Sequence, residues 1–388
     1  MTKLPLLEGR PVDYGDDEPA MVRYRREGEE RARALGNRGP LRFDAKGRLD
    51  LSFLEAYWQH GFYILEGLLD QAELDDLESE LAELLDRAPA TKGAAYDRHG
   101  RPALGADGRA MTFNWAAPLS DPFGGTAAMK GRHPVKMTEP TAPAGAPEQV
   151  LQLIMGSLQF SDACLRLYGH PQLLAIAAAI NGDDFAPFNE AIWIKHPHLG
   201  GSVAWHQDGW THWTSSDLDA GTHGFNFMAQ LYGCTAANGL WVVPGSHRTG
   251  RADIKALVHA AGSERLPDAV PFVCGPGDVA ITNRQVVHGS FANTSPDARV
   301  TVQMGFHRRR SVLGIVSGVP SDHVVVLDEL RIRERSKPIL YGIDARARRY
   351  PHEERYVYLP FAGQEDRYRW TPETKAELKD YNLLDLAI

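Results

Sequence analysis

The sequence predicts a mainly β fold, a sandwich or jelly roll, with α-helices at its flanks. Three observations lead there. From Asp184 to about Val319, short runs rich in β-branched and aromatic residues alternate with Gly, Pro, Asn and Asp turns. Even spacing of short strands is the mark of an all-β sandwich. Ahead of them, Leu74, Leu77, Leu81, Leu84 and Leu85 recur at helical spacing,. Polar and apolar residues then alternate from Arg299 to Met304, which gives one strand an apolar and a polar face.

Taken in order, residues 1–50 are rich in Gly, Pro, Arg and Glu and show no period. They read as an extended arm or partly ordered cover. Ser52 and Glu55 have capping-box spacing and open a short helix ending near His60-Gly61,. Phe62-Tyr63-Ile64-Leu65 is a strand candidate,. Asp70 and Glu73 repeat the cap pattern before a helix over 71–87,. Residues 88–150 are aperiodic and dense in Gly, Ala and Pro, so they read as a lid-like insertion. Residues 147–180 look helical, with a break at Gly169-His170-Pro171,. The strand candidates are Ala191–Lys195, Val203–His206, Phe225–Tyr232, Leu240–Val243, Val279–Thr282, Val286–His288 and Arg299–Phe306. Beyond residue 320 come a strand-like Val324–Leu327, an Arg-rich stretch and an acidic tail. The expected division is an arm over 1–50, a main domain over 51–320 and an extension over 321–388 packed on the core.

At 388 residues, 43% hydrophobic and 24% charged, the composition is that of a soluble globular chain,. A net charge of −8 argues against nucleic acid or an anionic membrane as partner,. Cys164, Cys234 and Cys274 are odd in number and scattered, which reads as reduced thiols in a cytoplasm,. The N-terminal residues lack the apolar stretch of a signal peptide, and no apolar run is long enough to span a bilayer,.

The chemistry concentrates in Trp205-His206-Gln207-Asp208-Gly209, in His288 about eighty residues on, and in Arg299 eleven residues later. On a strand, residues two apart face the same way, so His206 and Asp208 can address one metal while Gln207 points elsewhere. Two histidines and a carboxylate on one face of an octahedral metal leave three positions open, an arrangement suited to non-haem Fe(II). Ser290 shares the face of His288. Arg299, Thr301 and Gln303 form the polar face of a strand, and a bound dicarboxylate would explain their burial. Arg299 offers a planar fork to it.

These segments resemble the phytanoyl-CoA dioxygenase family of iron- and 2-oxoglutarate-dependent oxygenases. The matching residues are Phe62 with Gly67-Leu68-Leu69, Lys195, Trp205-His206-Gln207-Asp208, Asn238-Gly239-Leu240-Trp241, Pro244-Gly245-Ser246-His247, Gly277-Asp278, His288-Gly289-Ser290 and Arg299, over roughly residues 50–310. The resemblance implies a double-stranded β-helix core. It implies Fe(II) held by His206, Asp208 and His288, and 2-oxoglutarate held by Arg299 with Ser290, with O2 as the other cosubstrate. Lys195 is a further candidate for the cosubstrate, or a strand-end residue. The retained Asp208 favours hydroxylation of a small molecule, because related halogenases replace this carboxylate with a small residue. Trp210 and Trp213, just past the metal pair, are candidate pocket walls, while Trp193, Trp205 and Trp241 read as core. His247 reads as a turn residue, His352-Glu353-Glu354 as a chance near-miss and Arg308-Arg309-Arg310 as a solvated charge run. No sequence feature points to a CoA thioester. Two other readings stand beside the oxygenase: a catalytically silent metal- or metabolite-binding relative, and a zinc hydrolase, which leaves Arg299 without a role.

Overall fold

Among the described residues, twelve strands build two sheets. They are β1 (Arg38–Gly39), β2 (Phe62–Leu65), β3 (Phe113–Ala116), β4 (Val150–Met155), β5 (Ala186–Lys195), β6 (Val203–His206), β7 (Gly224–Gln230), β8 (Trp241–Val242), β9 (Val270–Pro271), β10 (Val279–Asn283), β11 (His288–Ser290) and β12 (Arg299–His307). The larger sheet runs β1-β2-β10-β7-β12-β5-β4-β3, and the smaller runs β6-β11-β8-β9. A third sheet pairs β13 (Val316–Ser317) with β14 (Val325–Val326). The helices are α1 (Glu18–Ala34), α2 (Phe53–His60), α3 (Gln71–Asp86), α4 (Asp162–Tyr168), α5 (Pro171–Asn181), α6 (Ile254–Ala261), α7 (Arg309–Val312), α8 (Glu329–Arg349) and α9 (Pro372–Glu377). The structure is a computed structural model and describes residues 12–45, 48–108, 111–209, 213, 223–317, 325–379 and 381.

Strand parity explains the layers. In β10, Val279 and Ile281 join the main helix-facing core, whereas Ala280 faces a second cluster with Val242 and Val270 of the smaller sheet and Phe272 and Val286 next to its strands. In β2, Tyr63 and Leu65 take the first side, and Phe62 and Ile64 the second. The predicted apolar face of β12 forms as expected: Val300, Val302, Met304 and Phe306 all join the main core with α2 to α5 and α8. Trp205, Trp241 and Val287 face the other way, into a third cluster with α1 and α6. The chain is therefore a mainly β core of two layers, with helices on both outer sides, as the sequence predicts.

Several local expectations need correction. Residues 18–34 form a helix, not an extended arm. Met21, Tyr24, Gly28 and Ala32 are its buried stripe. Two of those four have little or no side chain, which hides the period in the sequence. The Tyr24 ring stacks on Trp241 with centroids 4.4 Å apart, and a Cβ on Gly28 would come within 2.4 Å of that indole.

Ser52 sits at the start of α2 but makes no side-chain cap, because it already has helical φ/ψ of −58° and −29°. An N-cap must be extended to reach the third amide. Asp70 is extended and makes the full capping box with Glu73. Residues 150–155, expected as helix, are β4, four of the six buried, and paired with both β3 and β5. A short apolar run without alternation fits either element. The Arg-rich stretch after β14 is α8, 21 residues long with Pro338 inside it. It packs on α4 so closely that a Cβ on Gly169 would lie 2.1 Å from the Gly342 backbone. Val324 and the acidic tail beyond residue 381 lie outside the described residues. Among the described residues, no helix is long and apolar enough to cross a membrane, and the three cysteines are free and buried.

Candidate metal centre

Strands β6 and β11 are antiparallel neighbours, with His206 directly opposite His288. Both side chains point between the sheets, and their ring centroids are 4.1 Å apart. Asp208 follows β6, its amide held by the Arg284 carbonyl at 2.9 Å. Gln207 turns away, as strand parity predicts, and its amide group bonds the backbone of Gly250, Ala252 and Gln285. The ligand atoms of His206, Asp208 and His288 all lie within 4.8 Å of one another, a set that could hold a metal ion.

The tautomers are set by local geometry. His206 Nδ1 lies 2.8 Å from the Ala204 carbonyl, and His288 Nδ1 lies 2.9 Å from the Val286 carbonyl. A carbonyl only accepts, so each Nδ1 carries the proton and each Nε2 keeps its lone pair. The two Nε2 atoms lie 3.6 and 4.0 Å from Asp208 Oδ1. The other carboxylate oxygen, Oδ2, accepts from Asn226 Nδ2 at 3.2 Å and faces Arg284 Nε at 3.7 Å. Oδ1 is thus turned toward the two imidazoles.

Electrostatics favour this donor state. Burial alone would raise the Asp208 pKa, but the imidazoles of His206 and His288 and the guanidinium groups of Arg284 and Arg132 around it hold the carboxyl well below its usual range. Burial is also the main reason that the His288 pKa drops to about 4, with His206 adding to it. Near neutral pH His288 is therefore a neutral imidazole and Asp208 a carboxylate,.

The remaining expected residues divide. Arg299 is buried; its Nη1 donates to the Asn238 carbonyl at 3.1 Å, and its Nε has no hydrogen-bond partner. Burial lowers its pKa to about 10, so it stays cationic. Ser290 is buried too, and its Oγ has no partner. Lys195 lies opposite Arg299 in the β5–β12 register, and its Nζ donates to the Phe291 carbonyl. Burial, helped by Arg299, pulls that ammonium well below its usual pKa. Trp210 lies outside the described residues. Trp213 is half-buried. Trp205 and Trp241 are core. Trp193 is half-buried and donates to Gln303 at 2.8 Å.

His247 bonds the Trp58 carbonyl at 3.1 Å. Its ring fills the space beside Gly61, whose φ is +82°. This is the structural role its turn suggests. Glu353 of the near-miss motif pairs with Arg346 at 2.6 Å, and Arg309 pairs with Glu329.

Four residues around the triad were not foreseen: Arg132, His133, Asn226 and Arg284. Parity on β7 could have found Asn226, which shares the face of Gln230. Arg284 is the fourth residue before His288, and its side chain shows no motif. Arg132 and His133 lie in the aperiodic segment after α3. Arg132 Nη1 is 3.8 Å from Asp208 Oδ1. The His133 ring lies flat on that of His206, with centroids 4.2 Å apart and planes at 17°.

Residues 57–301 match the model of the phytanoyl-CoA dioxygenase (PhyH) family, well over half the chain. The chain belongs to that family. The match spans every strand from β2 to β11, and hence the whole triad. Among curated proteins, phytanoyl-CoA dioxygenase 1 of Oryza sativa subsp. japonica is 32% identical over 27% of this chain. That match spans only 39% of the rice protein's own length. The L-proline trans-4-hydroxylase of Streptomyces griseoviridis is 26% identical over 41% of this chain and 68% of its own. Among solved structures, EctD from S. alaskensis with 2-oxoglutarate and 5-hydroxyectoine aligns at 22% identity and a TM-score of 0.45, over 67% of this chain and 76% of that one.

Proposed function

We propose that this protein is an iron(II)- and 2-oxoglutarate-dependent dioxygenase that hydroxylates a small molecule, with release of succinate and CO2. The observation that carries the reading is the pair of imidazoles whose Nδ1 atoms are committed to backbone while both Nε2 atoms converge on Asp208 Oδ1. Two imidazole nitrogens and one carboxylate on a single side suit Fe(II) and leave positions for a chelating cosubstrate and O2. The fit for 2-oxoglutarate rests on Arg299 Nε and Ser290 Oγ, two buried donors without partners. A carboxylate between them would satisfy both.

Iron and its cosubstrate, when bound, supply the activation of O2 and the oxidation of substrate carbon. The rest falls to the chain. His206 and His288 present lone pairs fixed in direction by their carbonyl partners. Asn226 and Arg284 address Asp208 Oδ2 and so keep Oδ1 available. Arg299 and Ser290 would orient the far carboxylate of the cosubstrate, with Lys195 opposite Arg299 in the sheet. Hydroxylation is favoured by the retained carboxylate at Asp208 and by the activity that the Streptomyces relative's name records.

Succinate formed from labelled 2-oxoglutarate under Fe(II) and O2, with no added substrate, tests the proposal. Slow conversion above the level of His206→Ala is expected. Conversion no greater than in that variant, or equal activity with Zn(II) in place of iron, would sink it.

A further inference from the structure

The least explained group near the metal centre is His133. Its side chain is 3% exposed, and neither ring nitrogen has a hydrogen-bond partner. Its own backbone is tied down, because the His133 carbonyl accepts from Gly125 at 2.9 Å. The Phe123 ring meets it edge-on at 5.8 Å, and the His206 ring covers one face. The segment is anchored by Asp121, whose carboxylate accepts from the amides of Ala204 and Phe123 at 2.6 and 2.8 Å. The ring is therefore held beside a metal ligand by packing and backbone, with its polar edge unused. It does not belong to the converging set of ligand atoms, so it is not a fourth ligand.

Leaving a buried donor or acceptor unsatisfied costs folding free energy, because the group has lost its water and gained no partner. Such orphans in a folded protein ask for a function or a bound partner. A neutral imidazole presents one N–H and one lone pair. A methylene chain satisfies neither. A hydroxyl, an amine or a carboxylate satisfies one or both.

We infer that His133 is a substrate-binding residue of this site, and that the substrate carries a hydroxyl, amino or carboxyl group beside the carbon that reacts. The substrate class is a small polar metabolite such as an amino or hydroxy acid, not the hydrocarbon chain of an acyl thioester. The inference rests on the oxygenase reading above and deepens it.

The test uses the full chain with Fe(II) and 2-oxoglutarate under argon, read by the visible charge-transfer absorption of the complex. The probes are the common L-amino acids and short 2-hydroxy acids on one arm, and hexadecanoyl-CoA on the other. A polar probe is expected to shift the band and to be consumed when O2 is admitted. His133→Phe keeps a stacking ring and removes both nitrogens. It should weaken that probe about tenfold or more, against less than about twofold for 2-oxoglutarate. His133→Gln, which restores a donor and an acceptor, should recover part of the loss.

A band that forms but is unmoved by every polar probe overturns the inference and leaves the oxygenase reading intact. So does equal probe binding in His133→Phe, or productive binding of hexadecanoyl-CoA alone. A band that never forms removes the oxygenase reading and this inference with it.

Discussion

Replacing Arg299 with alanine should raise the KM for 2-oxoglutarate about ten- to a hundredfold. The figure follows from the environment of this side chain. Arg299 is buried and spends Nη1 on the Asn238 carbonyl, so its Nε edge is what remains for a ligand. A charge-assisted bond in such a place contributes about 1.5–3 kcal/mol, and each 1.4 kcal/mol is about tenfold. Lys195 is the internal comparison. It lies opposite Arg299, but its ammonium already serves the Phe291 carbonyl, so Lys195→Ala should move the KM far less. Arg299→Lys should rescue only partly, because an ammonium cannot present a planar fork. Succinate release against 2-oxoglutarate concentration gives the KM, and circular dichroism confirms the fold. An unchanged KM in folded Arg299→Ala would mean that the cosubstrate is held elsewhere and that the orphaned Nε has another purpose.

Three further outcomes are expected. His206→Ala, Asp208→Ala and His288→Ala should each stay folded and lose nearly all Fe(II)-dependent turnover, as anaerobic iron titration and circular dichroism would show. Full activity in any one removes that residue from the metal set. Arg346 lies buried between Glu73 at 2.7 Å and Glu353 at 2.6 Å; Arg346→Ala strands Glu73 and should cost about 3–5 kcal/mol in a urea melt, so a loss under about 1 kcal/mol would contradict that reading. The metal-free protein should lose stability as pH falls from about 6.5 towards 4. Burial sets the His288 and His247 pKa values at about 4 in the fold, whereas the unfolded chain takes up protons below about 6.5. A urea midpoint that stays flat across that window would refute the assignment.

What could be read from the sequence was what repeats locally. Strand parity put His206 and Asp208 on one side, where their ligand atoms meet those of His288, and it placed the apolar face of β12. It also sent Gln207 away from the metal, where the structure finds it. Capping shows the limit of such reasoning. Ser52–Glu55 and Asp70–Glu73 have the same spacing, but only Asp70 is extended, and the backbone angle is decided by the chain before it. The α1 stripe was hidden because Gly28 makes its contact by having no side chain at all. Arg284, Arg132 and His133 had no local signal. They matter because distant segments meet at Asp208 and His206, and no window of sequence contains that meeting.

This division has a consequence for how the site is built. The donors of the metal centre stand on β6, β11 and the turn after β6, and their support comes from β7 and the end of β10. These elements are locked by cross-strand pairing and by two apolar layers. Arg299 and Ser290 sit on the same framework. The wall over His206 comes instead from residues 119–137. Leu119 and Met137 bury its two ends in the α1 layer, while Asp121 pins it to Ala204 and the Thr138 amide bonds Glu264. Between those anchors the chain runs without a strand, and Met129 and Lys130 both have positive φ. A wall fixed at its ends and irregular between them can change its lining residues without moving a metal ligand. Under the proposed reading, the metal ligands stand on rigid strands and the substrate contact on an attached segment, an arrangement that lets one core serve different substrates.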